Sequence, residues 1–191
     1  MNKAVFLDRD GVIITEKKYL YNPDEVELTE GAVEAIKLLN QNGFLVLIVT
    51  NQSGVARNYY KESDIPKVHQ RINDIVTQAG GRIDQCYYCP HHPNGENPKY
   101  KKVCDCRKPE PGMILQGIEE FKVSPKDLYI IGDKMSDLLA GVNANLKQSI
   151  LVRTGYGEKT ELEFSNDNKF PVKDNLHQAV LYIINNESNN N

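Results

Sequence analysis

The sequence predicts an α/β fold in which a parallel sheet carries helices on both faces. Apolar, strand-like runs alternate with amphipathic helical patterns along most of the 191 residues. The run at 44–49 is uninterrupted, which suits a central strand buried on both faces. Such alternation is typical of β-α-β units in one sheet. Because the chain shows neither repeats nor a linker, we expect one domain over residues 1–185 and a disordered polar tail at 186–191.

The individual elements follow from hydrophobic periodicity and from helix start and stop signals. Strands are expected at residues 4–7, 44–49, 85–88, 128–131 and 150–152. Helices are expected at about 32–39, 64–79, 111–121 and 175–184, with Thr29 capping the first. A long polar loop spans residues 90–109, and the segment 156–171 has no clear pattern.

Composition excludes several classes of protein. The formal net charge of -3 argues against nucleic-acid binding through a basic surface. The apolar runs are too short to span a membrane, and the N-terminus lacks a signal-peptide pattern. We therefore expect a cytoplasmic protein with no membrane partner, whose four cysteines are reduced and either buried or bound to metal. A monomer is expected because no exposed apolar helix face requires a partner.

Polar side chains follow three of the predicted strands, where ligands bind in open α/β sheets. Asp8 and Asp10 follow the first strand, Thr50 ends the second, and Asp133 follows a later one. Two carboxylates this close repel each other unless a cation offsets their charge, and Mg²⁺ prefers oxygen ligands. An acidic turn after an edge strand is the alternative interpretation. We expect a magnesium site formed by Asp8, Asp133 and a backbone carbonyl of Asp10.

These residue types suit hydrolysis of a phosphate ester. Asp8 can accept the phosphoryl group as a nucleophile, and Lys108 would favour its ionised form. Asp10 can protonate the leaving alkoxide and then activate water. Thr50 and the amides after it can bind phosphoryl oxygens. We therefore predict a catalytic set of Asp8, Asp10, Thr50 and Lys108.

A second metal site is predicted in the long polar loop. Cys89, His91, Cys104 and Cys106 form a Cys₃His set, which is a common ligand set for structural zinc. The loop between them has little apolar content, so a bound metal would stabilise it. In an extended strand, Cys86 and Cys89 point to opposite faces, so Cys86 is not expected to be a ligand. We expect it to be a small buried hydrophobe.

The order of these motifs resembles the four-motif signature of the haloacid dehalogenase superfamily of phosphatases. The motifs are Asp8-x-Asp10-Gly11, Thr50-Asn51, Lys108-Pro109 and Gly132-Asp133-x-x-x-Asp137. The resemblance implies a Rossmann-like fold and a magnesium-dependent phosphatase with an aspartyl-phosphate intermediate at Asp8. The gaps between the motifs are too short for the large cap domain of many members.

The zinc loop is similar to loops in two groups of this superfamily, the histidinol-phosphate phosphatases and the heptose 1,7-bisphosphate 7-phosphatases. Segments 50–57 and 89–109 resemble the heptose group, which implies a sugar bisphosphate substrate in nucleotide-activated heptose biosynthesis. Asn58 departs from the glycine expected at its position. The substrate-binding residues implied by the resemblance are Glu16, Lys17, Lys18, Tyr19, Thr50, Asn51, Gln52, Ser53, Arg107, Lys108 and Lys134.

Three alternatives stay open at this point. Histidinol phosphate as substrate would keep the mechanism. A phosphoaspartate receiver domain uses a similar sheet and similar residues, but it has no use for a zinc loop. A zinc-dependent interaction module with inactive aspartates would bind zinc without hydrolysing phosphate esters.

Overall fold

A computed structural model describes residues 3–163 and 169–188. The strands are β1 (Lys3–Leu7), β2 (Phe44–Asn51), β3 (Gln85–Cys89), β4 (Leu128–Gly132), β5 (Gln148–Val152) and β6 (Val172–Lys173). The helices are α1 (Ala32–Gln41), α2 (Ile65–Gln78), α3 (Gly112–Phe121), α4 (Met135–Asn143), α5 (Gly157–Glu163) and α6 (Leu176–Ser188). Short 3₁₀ turns occur at Pro23–Glu25, Glu62–Asp64 and Pro125–Asp127.

The six strands form one sheet in the order β3-β2-β1-β4-β5-β6, and every neighbouring pair is parallel. The predicted α/β parallel sheet is therefore confirmed. The first strand lies in the middle, where it pairs with β2 on one side and with β4 on the other. The chain order reverses at this place, so the crevice beyond the ends of β1 and β4 is where such a fold binds ligands.

The strands bury both of their faces, as their apolar runs predict. Val5 and Leu7 of β1 pack in one core cluster with residues of α1, α2 and α6. Ala4 and Phe6 pack in a second cluster with residues of α3 and α4. Cys86 packs against the first cluster and Cys89 belongs to the second, so the two thiols point to opposite faces as expected, although Cys86 is only half-buried.

The start of α1 differs from the prediction. Gly31, with φ of 74°, is the N-cap residue, and no side chain caps the helix. The Thr29 hydroxyl instead donates a hydrogen bond to the backbone oxygen of Val12 at 2.6 Å. A threonine before a helix has this choice because its hydroxyl can bond to any nearby backbone group. Here it fastens the segment after β1 to the start of the helix.

The C-terminal helix continues past the point where a disordered tail was expected. Residues 186–188 belong to α6, whereas residues 189–191 lie outside the described residues. Glu187 explains the extension, because its carboxylate accepts hydrogen bonds from Lys3, Tyr129 and Lys147. These contacts hold the last turn of the helix against the edge of the sheet where β1 and β4 begin.

Two elements fall in the segment that shows no sequence pattern. Helix α5 and strand β6 lie within or beside residues 156–171, of which 164–168 are outside the described residues. β6 has only two residues and α5 only seven, too few for a periodic signal. In α3, Leu115 is 48% exposed and does not face the core with its apolar neighbours.

Within residues 3–163 and 169–188, no helix has the length and apolar character needed to cross a membrane. The cytoplasmic location, the monomeric state and the single domain stay predictions, and the rest of the expected tail, 189–191, lies outside the described residues.

Candidate active site

The polar residues at the ends of β1, β2 and β4 line a cavity of about 430 Å³. Its walls include all four predicted catalytic residues, Asp8, Asp10, Thr50 and Lys108. Asp8, Thr50 and Lys108 are each less than 5% exposed, so they lie at the bottom of the cavity. The predicted convergence of strand ends therefore occurs. The lining also includes Glu16, Lys18, Tyr19, Asn51, Gln52, Ser53, Arg107 and Lys134.

The Lys108 ammonium group is fully engaged beside Asp8. Its Nζ lies 2.9 Å from Asp8 Oδ1, 2.7 Å from Asp137 Oδ1 and 2.7 Å from the backbone oxygen of Val49. Three acceptors match the three protons of an ammonium group. Burial disfavours its charge, but Asp137 and Asp8 outweigh that effect and raise the pKa of Lys108. Lys108 is therefore a fixed positive charge at one oxygen of Asp8.

The Asn51 side chain fixes the loop that carries Lys108. Its Nδ2 donates to the backbone oxygen of Lys108 at 3.0 Å, and its Oδ1 accepts from the backbone nitrogen of Lys108 at 3.1 Å. A side-chain amide that forms both bonds imitates a β-ladder contact between β2 and the loop. The Asn51 side chain thus positions Lys108, and because Asn51 also lines the cavity, its predicted contact with substrate stays a prediction.

Asp10 is held by a network of buried polar groups rather than by the other acidic residues. Arg9 donates from Nε to Asp10 Oδ2 and from Nη2 to Oδ1, both at 3.1 Å. Gln52 donates to Asp10 Oδ2 at 2.9 Å and to Thr50 Oγ1 at 2.8 Å, while Tyr60 donates to Gln52 Oε1 at 2.7 Å. Although burial opposes it, Arg9 lowers the pKa of Asp10.

Asp133 presents an unsatisfied oxygen toward Asp8. Its Oδ2 accepts from the backbone nitrogen of Tyr156 at 2.8 Å, whereas the buried Oδ1 has no hydrogen-bond partner among the described residues. Oxygens of Asp8, Asp133 and Asp137 lie within 4.8 Å of one another. Because Asp137 is paired with Lys108, Asp8 and Asp133 have the free oxygens that a hard cation would bind.

The charges of Asp8, Asp133 and Asp137, called here the acidic group, fit the binding of a divalent cation. Burial raises the pKa of Asp8 to about 6, with Lys108 acting in the opposite direction. Burial and the Asp8 carboxylate raise the pKa of Asp133 to about 8. Lys134 Nζ lies 3.2 Å from Glu16 Oε2 and 3.7 Å from Asp133 Oδ1, too far from Asp133 for a hydrogen bond, so much of its charge is shared with Glu16. A cation between Asp8 and Asp133 would favour the ionised form of both.

The absence of a side chain at two glycines leaves space for the Asp133 carboxylate. A Cβ at Gly155 would lie 2.2 Å from Asp133 Oδ2, and one at Gly11 would lie 2.3 Å from the same oxygen. We expect Gly155→Ala to displace this carboxylate and to raise the Mg²⁺ concentration for half-maximal activity by about tenfold. Titration of activity with MgCl₂ measures the shift.

Gly43→Ala is the matched control for Gly155→Ala. Both glycines have positive φ, 77° at Gly43 and 61° at Gly155, but nothing lies within 4 Å of a Cβ at Gly43. The control variant carries the backbone strain without the crowding, so its magnesium dependence should equal that of the wild type. Equal shifts in both variants would contradict the role assigned to Gly155.

The predicted zinc ligands come together at the end of β3. Cys106 Sγ lies 2.9 Å from Cys89 Sγ and 3.3 Å from Cys104 Sγ, and His91 Nδ1 lies 3.4 Å from Cys106 Sγ. All four ligand atoms lie within 4.8 Å of one another. Hydrogen bonding with Cys89 first, and then with Cys104 and His91, holds the pKa of Cys106 well below its usual range. Three sulfurs and one imidazole nitrogen in this arrangement fit a tetrahedral zinc ion.

Some site residues behave differently from their sequence-based predictions. Lys17 does not reach the cavity, because its Nζ contacts the backbone oxygen of Glu25 at 2.9 Å and Glu27 at 2.8 Å. We therefore do not retain its side chain as a substrate contact. Asp10 offers no side-chain oxygen to the acidic group. Sequence reasoning missed Arg9, Tyr60, Ser136 and Tyr156, which also line the cavity.

Comparison with known proteins identifies relatives over most of the chain. Residues 105–179 match the HAD-hydrolase-like family model. A protein named D-glycero-β-D-manno-heptose-1,7-bisphosphate 7-phosphatase from Pasteurella multocida is 41% identical over 155 residues, which cover 81% of this chain and 84% of that protein. The protein of the same name from Escherichia coli K12 is 37% identical over 177 residues, or 93% of each chain.

Solved structures of similar proteins indicate the same family as the sequence relatives. The D,D-heptose 1,7-bisphosphate phosphatase from B. bronchiseptica, crystallised with magnesium and phosphate, superposes with a TM-score of 0.86 at 30% identity, over 96% of this chain and 99% of that one. The enzyme of the same name from Burkholderia thailandensis gives a TM-score of 0.70 at 30% identity, over 95% and 98%. This chain therefore belongs to the D-glycero-β-D-manno-heptose-1,7-bisphosphate 7-phosphatase family of haloacid dehalogenase-like hydrolases.

Proposed function

We propose that this protein removes the 7-phosphate of D-glycero-β-D-manno-heptose 1,7-bisphosphate through a phosphoaspartate at Asp8. One observation carries the proposal: the buried Asp8 has one oxygen bound by Lys108, while Asp10 lies two residues further along the same wall. A nucleophile, an adjacent acid/base and a fixed cation are the groups that phosphoryl transfer requires.

The first half-reaction forms the covalent intermediate. An Asp8 carboxylate oxygen attacks phosphorus and forms an Asp8–phosphorus bond, while the bond between phosphorus and the heptose O7 breaks. The anionic phosphoryl group bound beside Asp10 favours its protonated form, and Asp10 gives this proton to the departing O7. Lys108 holds Asp8 in line for this attack, and Thr50 donates a hydrogen bond to a phosphoryl oxygen.

The second half-reaction regenerates Asp8. Water attacks phosphorus, Asp10 takes a proton from that water, and the Asp8–phosphorus bond breaks to release orthophosphate. Arg9 and Gln52 favour the ionised form of Asp10, which is the form needed here as a base. They also keep Asp10 on the side of Thr50, where phosphoryl oxygens would lie.

Asp8, Asp133 and the backbone of Asp10 would hold Mg²⁺, which Asp133 Oδ1 supports because it accepts no hydrogen bond among the described residues. When bound, the metal neutralises charge on the phosphoryl oxygens. Cys89, His91, Cys104 and Cys106 would hold structural Zn²⁺. Because Cys106 directly precedes Arg107 and Lys108, this site would fix the residues that meet the substrate.

The choice of a sugar bisphosphate rests on Arg107 and on the relatives. Arg107 lines the cavity while its Nη1 donates to the backbone oxygen of His91 at 3.3 Å, so one edge of its guanidinium is anchored by the Cys/His loop. Arginine suits recognition of a second phosphate because its planar group can donate two parallel hydrogen bonds. We also propose a cytoplasmic location, since zinc ligation requires reduced thiols. We further propose that the protein is a monomer without nucleic-acid or membrane partners.

The substrate is tested by phosphate release with MgCl₂ from three compounds assayed side by side. These are the α and β anomers of D-glycero-D-manno-heptose 1,7-bisphosphate and histidinol phosphate. We expect the highest kcat/KM for the β anomer. A preference for histidinol phosphate would keep the mechanism and overturn the substrate, whereas no turnover of any compound would favour a receiver domain or a zinc module.

Replacing the proposed acid/base separates its role from that of Asp8. Asp10→Asn should reduce kcat by about 10²- to 10⁴-fold, because neither proton transfer is then assisted. The loss should be smaller with acetyl phosphate, whose leaving group needs no proton. Steady-state assays with both substrates measure this difference. An equal loss with the two substrates would contradict proton donation by Asp10.

A further inference from the structure

Two loops with unusual backbone conformations meet at the mouth of the cavity. Three non-glycine residues in them have left-handed backbones: Lys18 with φ of 48°, Tyr19 with φ of 65° and Asn58 with φ of 59°. Such conformations are uncommon for residues with a side chain and concentrate at functional sites. They bring the rings of Tyr19 and Tyr59 into edge-to-face contact, with centroids 4.7 Å apart and planes at 77°.

The two tyrosines differ in their relation to the cavity. Tyr19 lines it, whereas Tyr59 contacts the Tyr19 ring and is not part of the wall. Both are exposed, at 42% and 54%, so their contact is not a by-product of core packing. An edge-to-face pair is a favourable arrangement of two aromatic rings. Tyr59 therefore restrains a ring that the substrate would touch.

Tyr59 is itself anchored to the loop that carries the Cys/His cluster. Its backbone nitrogen donates to the oxygen of Gly54 at 2.9 Å, which closes the turn after β2. The oxygen of Ala56 accepts from the backbone nitrogens of Glu96 and Asn97 at 2.7 and 2.9 Å. Asn97 also donates from Nδ2 to Asn58 Oδ1 at 2.9 Å. The turn that carries Tyr59 is thus held by the loop of the Cys/His cluster as well as by its own closing hydrogen bond.

The position of Tyr19 indicates which part of a substrate it meets. The transferred phosphoryl group belongs at the bottom of the cavity, next to Asp8 and Lys108, where both side chains are almost fully buried. The rest of the substrate must extend toward the mouth, where Tyr19 is exposed. Between β1 and α3 the described residues form no large cap domain, so side chains of short loops have to form this wall.

We propose that Tyr59 is a positioning residue that determines specificity, because it holds the Tyr19 ring as a wall for a sugar-sized leaving group. The proposal rests on the proposed function only in requiring phosphate transfer at Asp8. It assigns Tyr59 to binding of the leaving group and not to the chemical step. Tyr59→Ala removes the restraining ring, whereas Tyr59→Phe keeps it and removes only the hydroxyl.

The test compares these two variants on a large and a small substrate. For heptose bisphosphate, Tyr59→Ala should raise KM about fivefold and leave kcat within about twofold, since uniform binding is lost. Tyr59→Phe should equal the wild type. Acetyl phosphate has no sugar to pack against the Tyr19 ring, so its kcat/KM should be unchanged in both variants, as should inhibition by orthophosphate.

Three results would overturn the proposal: an unchanged KM in Tyr59→Ala, equal defects in both variants, or equal losses on both substrates. A failure of the proposed function would be seen separately, in the substrate preference of the wild type alone. If the wild type prefers histidinol phosphate, the same comparison is made with that substrate, whose leaving group also reaches the mouth. Circular dichroism shows that each variant is folded.

Discussion

Asp8→Asn is expected to reduce turnover by about 10⁴-fold or more, with no loss of fold. The amide is a poor nucleophile and cannot form the phosphoaspartate. Lys108 would keep two of its three acceptors, Asp137 and the oxygen of Val49. The substitution also removes one of three neighbouring carboxylates, which relieves repulsion with Asp133 and Asp137. We therefore expect a thermal midpoint no lower than that of the wild type.

Phosphate release and acid-quench labelling check this expectation together. The wild type should carry an acid-stable phosphoryl label when quenched during turnover, and Asp8→Asn should carry none. Asp74→Asn is a suitable control, because Asp74 lies on α2 and accepts a hydrogen bond only from Gln70 among its described side-chain contacts. Activity of Asp8→Asn within tenfold of the wild type would refute Asp8 as the nucleophile.

Cys106→Ser is expected to have the largest effect on stability. A serine hydroxyl is a poor zinc ligand, so the variant should purify with markedly less than one zinc per chain. Loss of a structural metal destabilises proteins by on the order of 4 kcal/mol. Lys108 follows two residues after Cys106, so kcat/KM should also fall as the loop loses its fixed position.

Cys86→Ser is the matched control, because Cys86 is a cysteine three residues before a proposed ligand but lies outside the cluster. It should retain the zinc content and the activity of the wild type. Atomic absorption measures zinc, and differential scanning calorimetry measures stability. Unchanged zinc content in Cys106→Ser, or an equal loss in both variants, would contradict the role of Cys106.

The sequence was sufficient to predict the sheet and the convergence of the catalytic residues. Uninterrupted apolar runs require burial on both faces, and only a parallel sheet covered by helices offers this to several strands at once. The ends of such strands lie at one edge, so Asp8, Thr50 and Asp133 had to be close neighbours. The spacing of four metal-binding side chains in a polar loop likewise pointed to a zinc site.

The sequence could not show which hydrogen-bond partners the polar side chains near these positions have. Arg9 lies between two predicted functional aspartates, yet which of them it pairs with depends on Gln52 and Tyr60, more than 40 residues away. The two amides Asn51 and Gln52 resemble substrate ligands in sequence, but their partners are Lys108 and Asp10. Tyr156 lay in a segment whose helix is too short to produce a periodic signal.

The central place of β1 has a consequence for how the protein forms during translation. β1 is synthesised before the other five strands, but its second neighbour, β4, begins only at Leu128. One edge of this apolar strand therefore has no native partner until two-thirds of the chain has been made. Nascent chains that do not yet expose β4 should need shielding by chaperones, since unpaired strand edges promote aggregation.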